Sequence, residues 1–272
     1  AYISWVAIAT TCITSSMFLT ALAPNLLAVD LIAKSSGHII SWGEWAGVML
    51  PLMIPLFLIT PWLAYVVYPP SQKSSPEAPA WASEELKKLG AITFKEYLMA
   101  GLATIALVLW IFNKEFGVDS TTVAISIVSI MVLTNVITWD DLISNKAAFD
   151  VLIWFSSLVA MASGLQKVGV LTWIGANTQE MLSGMSPTTL IVSLLVFFFL
   201  LHYFFASVTA HVTALIPIFM AIAINLLTPE QIVPFTVILA GSLGVMGIIT
   251  PYGTGPSPIW YGAGYISQGR WW

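Results

Sequence analysis

Apolar residues fall along this chain in long continuous blocks, and polar residues interrupt them only in short clusters. The first block runs from Tyr2 to Ala33 with Asp30 as its one charge, and TSSMFLTALAPN at residues 14–25 interrupts it. The second runs from Trp45 to Val67. Pro51, Pro55 and Pro61 predict kinks there, because an internal proline removes a backbone hydrogen bond and crowds the preceding turn. Further blocks lie at 97–112, 120–138, 149–163, 188–206, 209–227 and 231–249, with a weaker one at 168–184. A short block at 258–267 suits a half-helix. Several blocks approach the roughly 20 continuous apolar residues that carry a helix across a bilayer. A membrane barrel would alternate apolar and polar residues instead. The pattern predicts an all-α polytopic membrane protein.

One stretch reads differently. Residues 69–92 open with PPSQKSSPEAPAWASEELKKLG, a solvated linker whose end, Trp81 to Leu89, predicts a short helix capped by Ser83. Lys73, Lys87, Lys88 and Lys95 make 69–95 the most basic stretch, which places it in the cytoplasm. Trp42, Trp45 and Trp139 suit the interfacial belt.

Composition agrees with the pattern. The 272 residues are 58% hydrophobic and 8% charged, against about 25% charged in soluble domains. Mean hydropathy is +0.90. The net charge of −4 sits mostly in loops, and without a basic patch the chain is no nucleic-acid binder. Cys12 is the single cysteine, which excludes an internal disulfide framework and a cysteine-based metal site. The chain opens on Ala1 in mid-apolar sequence without a signal-peptide pattern, and QGRWW follows closely on a Gly/Pro-rich break. It reads as a piece of something longer, truncated at both ends.

Two interruptions echo one another. Thr14, Ser15 and Ser16 followed by Ala23-Pro24-Asn25 break the first block. Thr250-Pro251 and Gly253-Thr254-Gly255-Pro256-Ser257 break the last. Both read as helix, small polar break, then apolar resumption, the pattern of a transporter site at a repeat interface. An ordinary loop outside the bilayer would also read this way. Against that, neither break holds a charge and apolar residues crowd both sides. Inside hydrocarbon the freed backbone groups need protein or water partners. An unwound turn offers carbonyls to a cation, and a half-helix N-terminus offers N–H groups to an anion. The chain divides on this reading into 1–68, the end of a first repeat; 69–92, the linker; and 93–272, a second repeat with a polar tip near 207–211 and an unwound helix at 250–258.

That tip is SVTAHVT, residues 207–213, inside an otherwise apolar run. Membrane hydroxyls commonly bond back to helix carbonyls. Four polar side chains in seven residues exceed that need, and a hairpin tip within the membrane would use them. His211 alone reads as a packed, hydrogen-bonded histidine. With His202 nine residues away and no carboxylate nearby, a metal site is not expected. Asp30 and Lys34, four apart, predict a surface pair. Asp140, Asp141 and Asp150 flank a solvated loop. Glu44, Lys114, Glu115 and Asp119 lie at segment ends and have no assigned role.

At TSSMFLTALAPN, ISWGEW, HYFFASVTAH with the following ALIPI, and GIITPYGTGPSPIWYGAGYI, the chain resembles the divalent anion:sodium symporter family. The nearest branch resembles the bacterial citrate/succinate and tartrate/succinate antiporters and the plastid dicarboxylate translocators. The resemblance covers nearly the whole chain. It implies an inverted-repeat secondary transporter, a homodimer in the bacterial inner membrane, working by elevator-type alternating access. Each repeat would supply a re-entrant hairpin and a broken helix. The first hairpin tip would lie upstream of residue 1 and a last helix beyond residue 272. The resemblance implies di- or tricarboxylate contacts at Ser207, Thr209, Thr250, Pro251, Gly253, Thr254, Pro24 and Asn25, and cation contacts at Ser15, Ser16, Thr20, Ala206 and Gly247. It implies no catalytic residue, no metal and no cofactor, with sodium as the coupling ion where there is one.

One departure stands out: the family's Ser-Asn-Thr motif is Ser207-Val208-Thr209 here. Loss of that amide favours exchange of one carboxylate for another, with sodium-coupled symport as the alternative. Arg270, the one arginine, lies near the end, so an anion would be met by hydroxyls, backbone N–H groups and helix dipoles. Such a site releases cargo more readily than a bidentate arginine clamp. A different class, an intramembrane hydrolase, would use Ser207 and His211, four apart; no nucleophile motif or orienting carboxylate accompanies them. A channel lacks its ring of charges.

Overall fold

The structure, a computed structural model, describes residues 1–70, 72–146, 148–149, 153, 156–157, 160–161, 164, 167–170, 173, 176–178, 182 and 184–272. Helices and their connections account for the described residues, with no strand among them. The chain forms two compact units, residues 1–69 with 151–272, and residues 70–150.

The first unit opens with α1 (Tyr2–Met17), a single 3-10 turn (Leu19–Ala21) and α2 (Ala23–Ser36). Then comes α3 (Trp42–Val67), capped by Ser41, whose hydroxyl accepts the Glu44 N–H at 3.2 Å. It runs as one 26-residue helix through Pro51, Pro55 and Pro61. The Asp30–Lys34 pair forms at 2.7 Å.

The second unit holds α4 (Ala78–Leu89), α5 (Phe94–Ile111), α6 (Asn113–Phe116), α7 (Ser120–Leu133) and α8 (Trp139–Ile143). Ser83 is not the cap of α4: the helix starts earlier, with Pro79 in its first turn, and Ser83 lies inside it. Proline fits there because the first-turn N–H groups have no helical partner anyway. Thr93 and Glu96 form a capping box that starts α5 before the apolar block does. The apolar letters run on to 138, yet α7 stops at Leu133, because Asn135 turns left-handed at φ 54° and a second capping box, Thr138 with Asp141, opens α8. The Thr138 hydroxyl, then its N–H, hold the exposed Asp141 carboxyl below the usual carboxylate range. Within this unit α5 packs on α7.

Back in the first unit follow α9 (Pro187–Leu201), a 3-10 turn (His202–Phe204), α10 (Val208–Leu226), α11 (Pro229–Val245), a 3-10 turn (Met246–Ile248), α12 (Pro256–Gly262) and α13 (Gln268–Trp271). The expected blocks at 149–163 and 168–184 fall largely outside the described residues. Among the described residues five helical stretches are long and apolar enough to cross a membrane: α3, α5, α9 with its 3-10 turn, α10, and α11 with its 3-10 turn. Within the unit α11 has 56% of its most apolar stretch buried, and α3 only 6%. α11 is therefore a central helix. The exposed Leu58, Ile59, Trp62 and Val66 of α3 form the kind of surface that water does not tolerate and acyl chains do.

The packing that positions the polar breaks centres on α11. α1 lies against α3 and α11, and α2 runs along α10. Gly244 lets α1 and α11 cross backbone to backbone: a Cβ there would stand 2.4 Å from the Ser16 nitrogen and 2.7 Å from the Cys12 carbonyl oxygen. Small residues serve membrane helix packing in this way because close approach, rather than water release, drives association.

Candidate functional site

Three polar helical breaks occur among the described residues of the first unit, and each must rehouse the backbone groups that a continuous helix would have bonded. The first lies between α1 and α2. Phe18 and Leu22 are extended, and Pro24 lies in the first turn of α2. Asn25 is fully buried, and its Nδ2 donates to the Ser15 carbonyl at 2.9 Å and to the Phe18 carbonyl at 3.4 Å. The Trp45 indole N–H donates to the Ser16 carbonyl at 3.1 Å. The Ser16 hydroxyl accepts the Val245 N–H at 2.9 Å, across 229 residues of chain.

That last bond leads directly to the second break, from Met246 to Gly255. The Ser257 hydroxyl donates to the Gly247 carbonyl at 3.2 Å, and the Trp271 indole N–H donates to the Ile248 carbonyl at 2.9 Å. Gly247 is needed for closeness, since a Cβ would lie 2.9 Å from Thr254 Cγ2. Gly253 sits in a polar cradle. A Cβ on it would lie 2.9 Å from Thr250 Oγ1, 3.0 Å from His202 Nε2 and 3.1 Å from the Gly247 oxygen.

The third break is the tip between α9 and α10. His202, fully buried, reaches the second break: its Nε2–H donates to the Gly253 carbonyl at 2.9 Å. Beside it the Tyr252 hydroxyl donates to the Tyr203 carbonyl at 3.2 Å. Ser207 is the N-cap of α10 and accepts the Ala210 N–H at 3.4 Å. The Thr213 hydroxyl bonds back to the Thr209 carbonyl at 2.8 Å. Two of the polar side chains of SVTAHVT thus serve their own helix, one as cap and one as back-bond.

The structure brings the expected residues together in part. Ser15, Ser16, Pro24 and Asn25 join in the first break; Gly247, Thr250, Gly253 and Thr254 in the second. Ser16 links the two. Ser16 and the Asn25 amide nitrogen are committed to holding the fold, while Asn25 Oδ1 and Thr250 Oγ1 are buried without a hydrogen-bond partner among the described residues. Thr20, Pro251 and Thr254 are half-buried, and Ala206 is exposed. Ser207 and Thr209 make no hydrogen bond to either broken helix among the described residues. Asp, Glu, Lys and Arg are absent from all three breaks. The polar groups of the breaks are hydroxyls, an amide oxygen, carbonyls and helix N-termini.

The whole chain, residues 1–272, matches the family model described as the sodium:sulfate symporter transmembrane region. This chain belongs to that family. Over all 272 of its residues it is 47% identical to the L-tartrate/succinate antiporter of Escherichia coli (strain K12), of which it covers 55%. The L-tartrate/succinate antiporters of Shigella boydii serotype 4 (strain Sb227) and Shigella flexneri match at the same identity and coverage. The chain spans just over half the length of these curated relatives. Family and apolar helices together make it an integral membrane protein.

The candidate site contains residues that sequence reasoning missed. His202, Trp45, Ser257 and Trp271 each hold a freed carbonyl; their only signal was a polar atom in an apolar setting. His211 is packed as expected, with ring centroids 4.4 Å from Phe198, 5.0 Å from Phe205 and 5.0 Å from His202. It is not hydrogen-bonded: neither ring nitrogen has a partner among the described residues. The hydrolase alternative finds no support, since the Ser207 hydroxyl serves as a helix cap and His211 does not bond it. Among the described residues no cluster of three His, Cys, Asp or Glu side chains is placed to hold a metal.

Proposed function

We propose that the full-length protein is a secondary carrier that exchanges one di- or tricarboxylate for another across the bacterial inner membrane. Succinate, malate, 2-oxoglutarate, tartrate and citrate are the candidate substrates, and the relatives' name points first to tartrate and succinate. The observation that carries this reading is the pair of broken helices joined at Ser16 and Val245, with no charged side chain in either break. A carboxylate in such a place is met by N–H groups, hydroxyls and helix N-termini, each a partial charge. The absence of a fixed cation lets the same site release what it has bound. Elevator-type movement of this polar core, in a homodimer, would provide alternating access.

Val208 supports exchange over sodium symport. It is buried at the first turn of α10, and its side chain presents no oxygen to an ion. Counterflow in proteoliposomes tests the reading. Liposomes preloaded with succinate should accumulate labelled succinate, and should do so with sodium or choline outside at constant ionic strength. Uptake that needs sodium would replace exchange by symport, and no uptake of any carboxylate would end the carrier reading.

A further inference from the structure

We propose that His202 is a latch: its bond to the Gly253 carbonyl holds the α9–α10 tip against the second broken helix and so presents Thr250 to Thr254 to substrate. The inference rests on the exchange reading above.

Four observations carry it. The bond joins residues 51 apart in sequence, and it is fully buried. A second bond lies directly beside it, from the Tyr252 hydroxyl to the Tyr203 carbonyl. Residues 202 and 203 thus meet residues 253 and 252 pairwise, as two short segments stitched side chain to main chain. Gly253 is shaped for the contact, because a Cβ would stand 3.0 Å from His202 Nε2. Finally, the ring of His202 is held edge-on by His211, itself enclosed by Phe198 and Phe205.

The surroundings are not arranged for stability alone. His202 Nδ1, both nitrogens of His211 and Thr250 Oγ1 are buried without hydrogen-bond partners among the described residues. Apolar residues of the same shape would avoid that desolvation cost. The break also hangs on few attachments: His202 to Gly253, Tyr252 to Tyr203, Ser257 to Gly247 and Trp271 to Ile248. Removing His202 frees the stretch that holds Thr250 and Thr254 without touching the first break. A carrier whose binding-competent arrangement is only partly populated shows weaker apparent affinity by that fraction.

The chemistry sets a sharp test. The amide nitrogen of Gln reaches the position of His Nε2, whereas that of Asn reaches only Nδ1. His202→Gln therefore keeps a donor for Gly253 and His202→Asn does not. In full-length protein in proteoliposomes, His202→Asn should raise the KM for succinate about tenfold, and His202→Gln should restore it. A mere packing defect lowers the amount of active carrier, and so Vmax, while leaving KM alone.

Cys12 gives a second readout that needs no substrate. Its Sγ lies 3.4 Å from where a Gly247 Cβ would be, beneath the second break, and it is buried. With any other cysteine replaced, N-ethylmaleimide should label Cys12 faster in His202→Asn than in wild type or His202→Gln. An unchanged KM in His202→Asn, or equal KM increases in both variants, would overturn the latch. So would equal labelling in all three proteins. If wild type exchanges no carboxylate, the carrier reading fails and the labelling alone decides the latch.

Discussion

The two broken helices solve one problem in opposite ways. Both leave backbone groups without helical partners, and both lie in apolar surroundings. The first break is closed largely from within: Asn25, only ten residues from Ser15, gathers two carbonyls. Trp45 covers a third from the adjacent α3, and Ser16 spends its hydroxyl on Val245. The second break is held mainly from outside, by His202, Tyr203 and Trp271, with Ser257 as its internal tie. Each break keeps one buried oxygen, Asn25 Oδ1 or Thr250 Oγ1, without a hydrogen-bond partner among the described residues. A break closed by its own residues is a fixed wall. One held by distant residues has a state in which it is let go. Transport needs both, one surface to bind against and one that yields.

The largest effect should come where the two breaks touch. Gly244→Ala would drive a Cβ to 2.4 Å from the Ser16 nitrogen, and backbone cannot rotate away. Overpacking costs about 1–3 kcal/mol when side chains give, and this contact should exceed that range. The folded yield in detergent should fall severely. Gly247→Ala meets the Thr254 methyl at 2.9 Å and its Cβ at 3.1 Å instead, which a rotamer change and a shift of a few tenths of an ångström relieve. It should fold and lose substrate affinity. Equal thermal stability of the two variants would remove the claim that α1 and α11 meet backbone to backbone.

The next effect separates wall from yielding surface. Asn25→Leu takes the amide donor from the Ser15 carbonyl, at about 1–3 kcal/mol for a buried group left unpaired, while the Phe18 carbonyl keeps the Ala21 N–H at 3.0 Å; thermal unfolding should move down. Thr250→Val removes a buried hydroxyl that has no hydrogen-bond partner among the described residues, so stability should stay within about 0.5 kcal/mol or rise. Its exchange activity should nevertheless drop. Matching losses of stability would mean that the two breaks are built alike.

The hydroxyls of Thr209 and Thr254 come third. Thr209→Ala and Thr254→Ala should each weaken exchange by roughly ten- to a hundredfold, the worth of a hydrogen bond to a charged partner. Thr→Ser at either position keeps the donor and should keep most activity. Wild-type exchange in both alanine variants, at equal membrane expression, would take these residues out of the site.

The breaks themselves were legible in the sequence because their composition is physically awkward. Pro24-Asn25 and the Pro251 to Pro258 cluster cannot sit in a continuous apolar helix, so their places follow from local chemistry. What fastens them was not legible. The Ser16–Val245 and His202–Gly253 bonds join residues 229 and 51 apart, and no one-dimensional period assigns such partners. Helix ends were misjudged for a related reason. Apolar letters continue past Leu133, but a left-handed Asn135 and the Thr138–Asp141 box stop the helix first. His211 was half-read: burial follows from the apolar run, whereas its lack of a hydrogen bond depends on which rings fold against it.

The smallest effect gives the finest measure of the contrast, because each break has one tryptophan in the same task. Trp45 donates to the Ser16 carbonyl and Trp271 to the Ile248 carbonyl, at 3.1 and 2.9 Å. Phenylalanine at either position keeps an aromatic ring and removes the donor. At Trp45 the carbonyl is buried, so nothing replaces the lost bond, and Trp45→Phe should cost about 1–3 kcal/mol. At Trp271 the contact is only partly buried, so water can take the donor's place. Trp271→Phe should then cost about 0.5–1.5 kcal/mol, the net worth of an ordinary hydrogen bond. The ordering matters more than either value. If thermal unfolding ranks Trp271→Phe as the more damaging, the second break is the rigid one and the contrast is reversed. If Trp271→Phe also speeds the labelling of Cys12 while Trp45→Phe does not, the second break yields at more than one of its attachments.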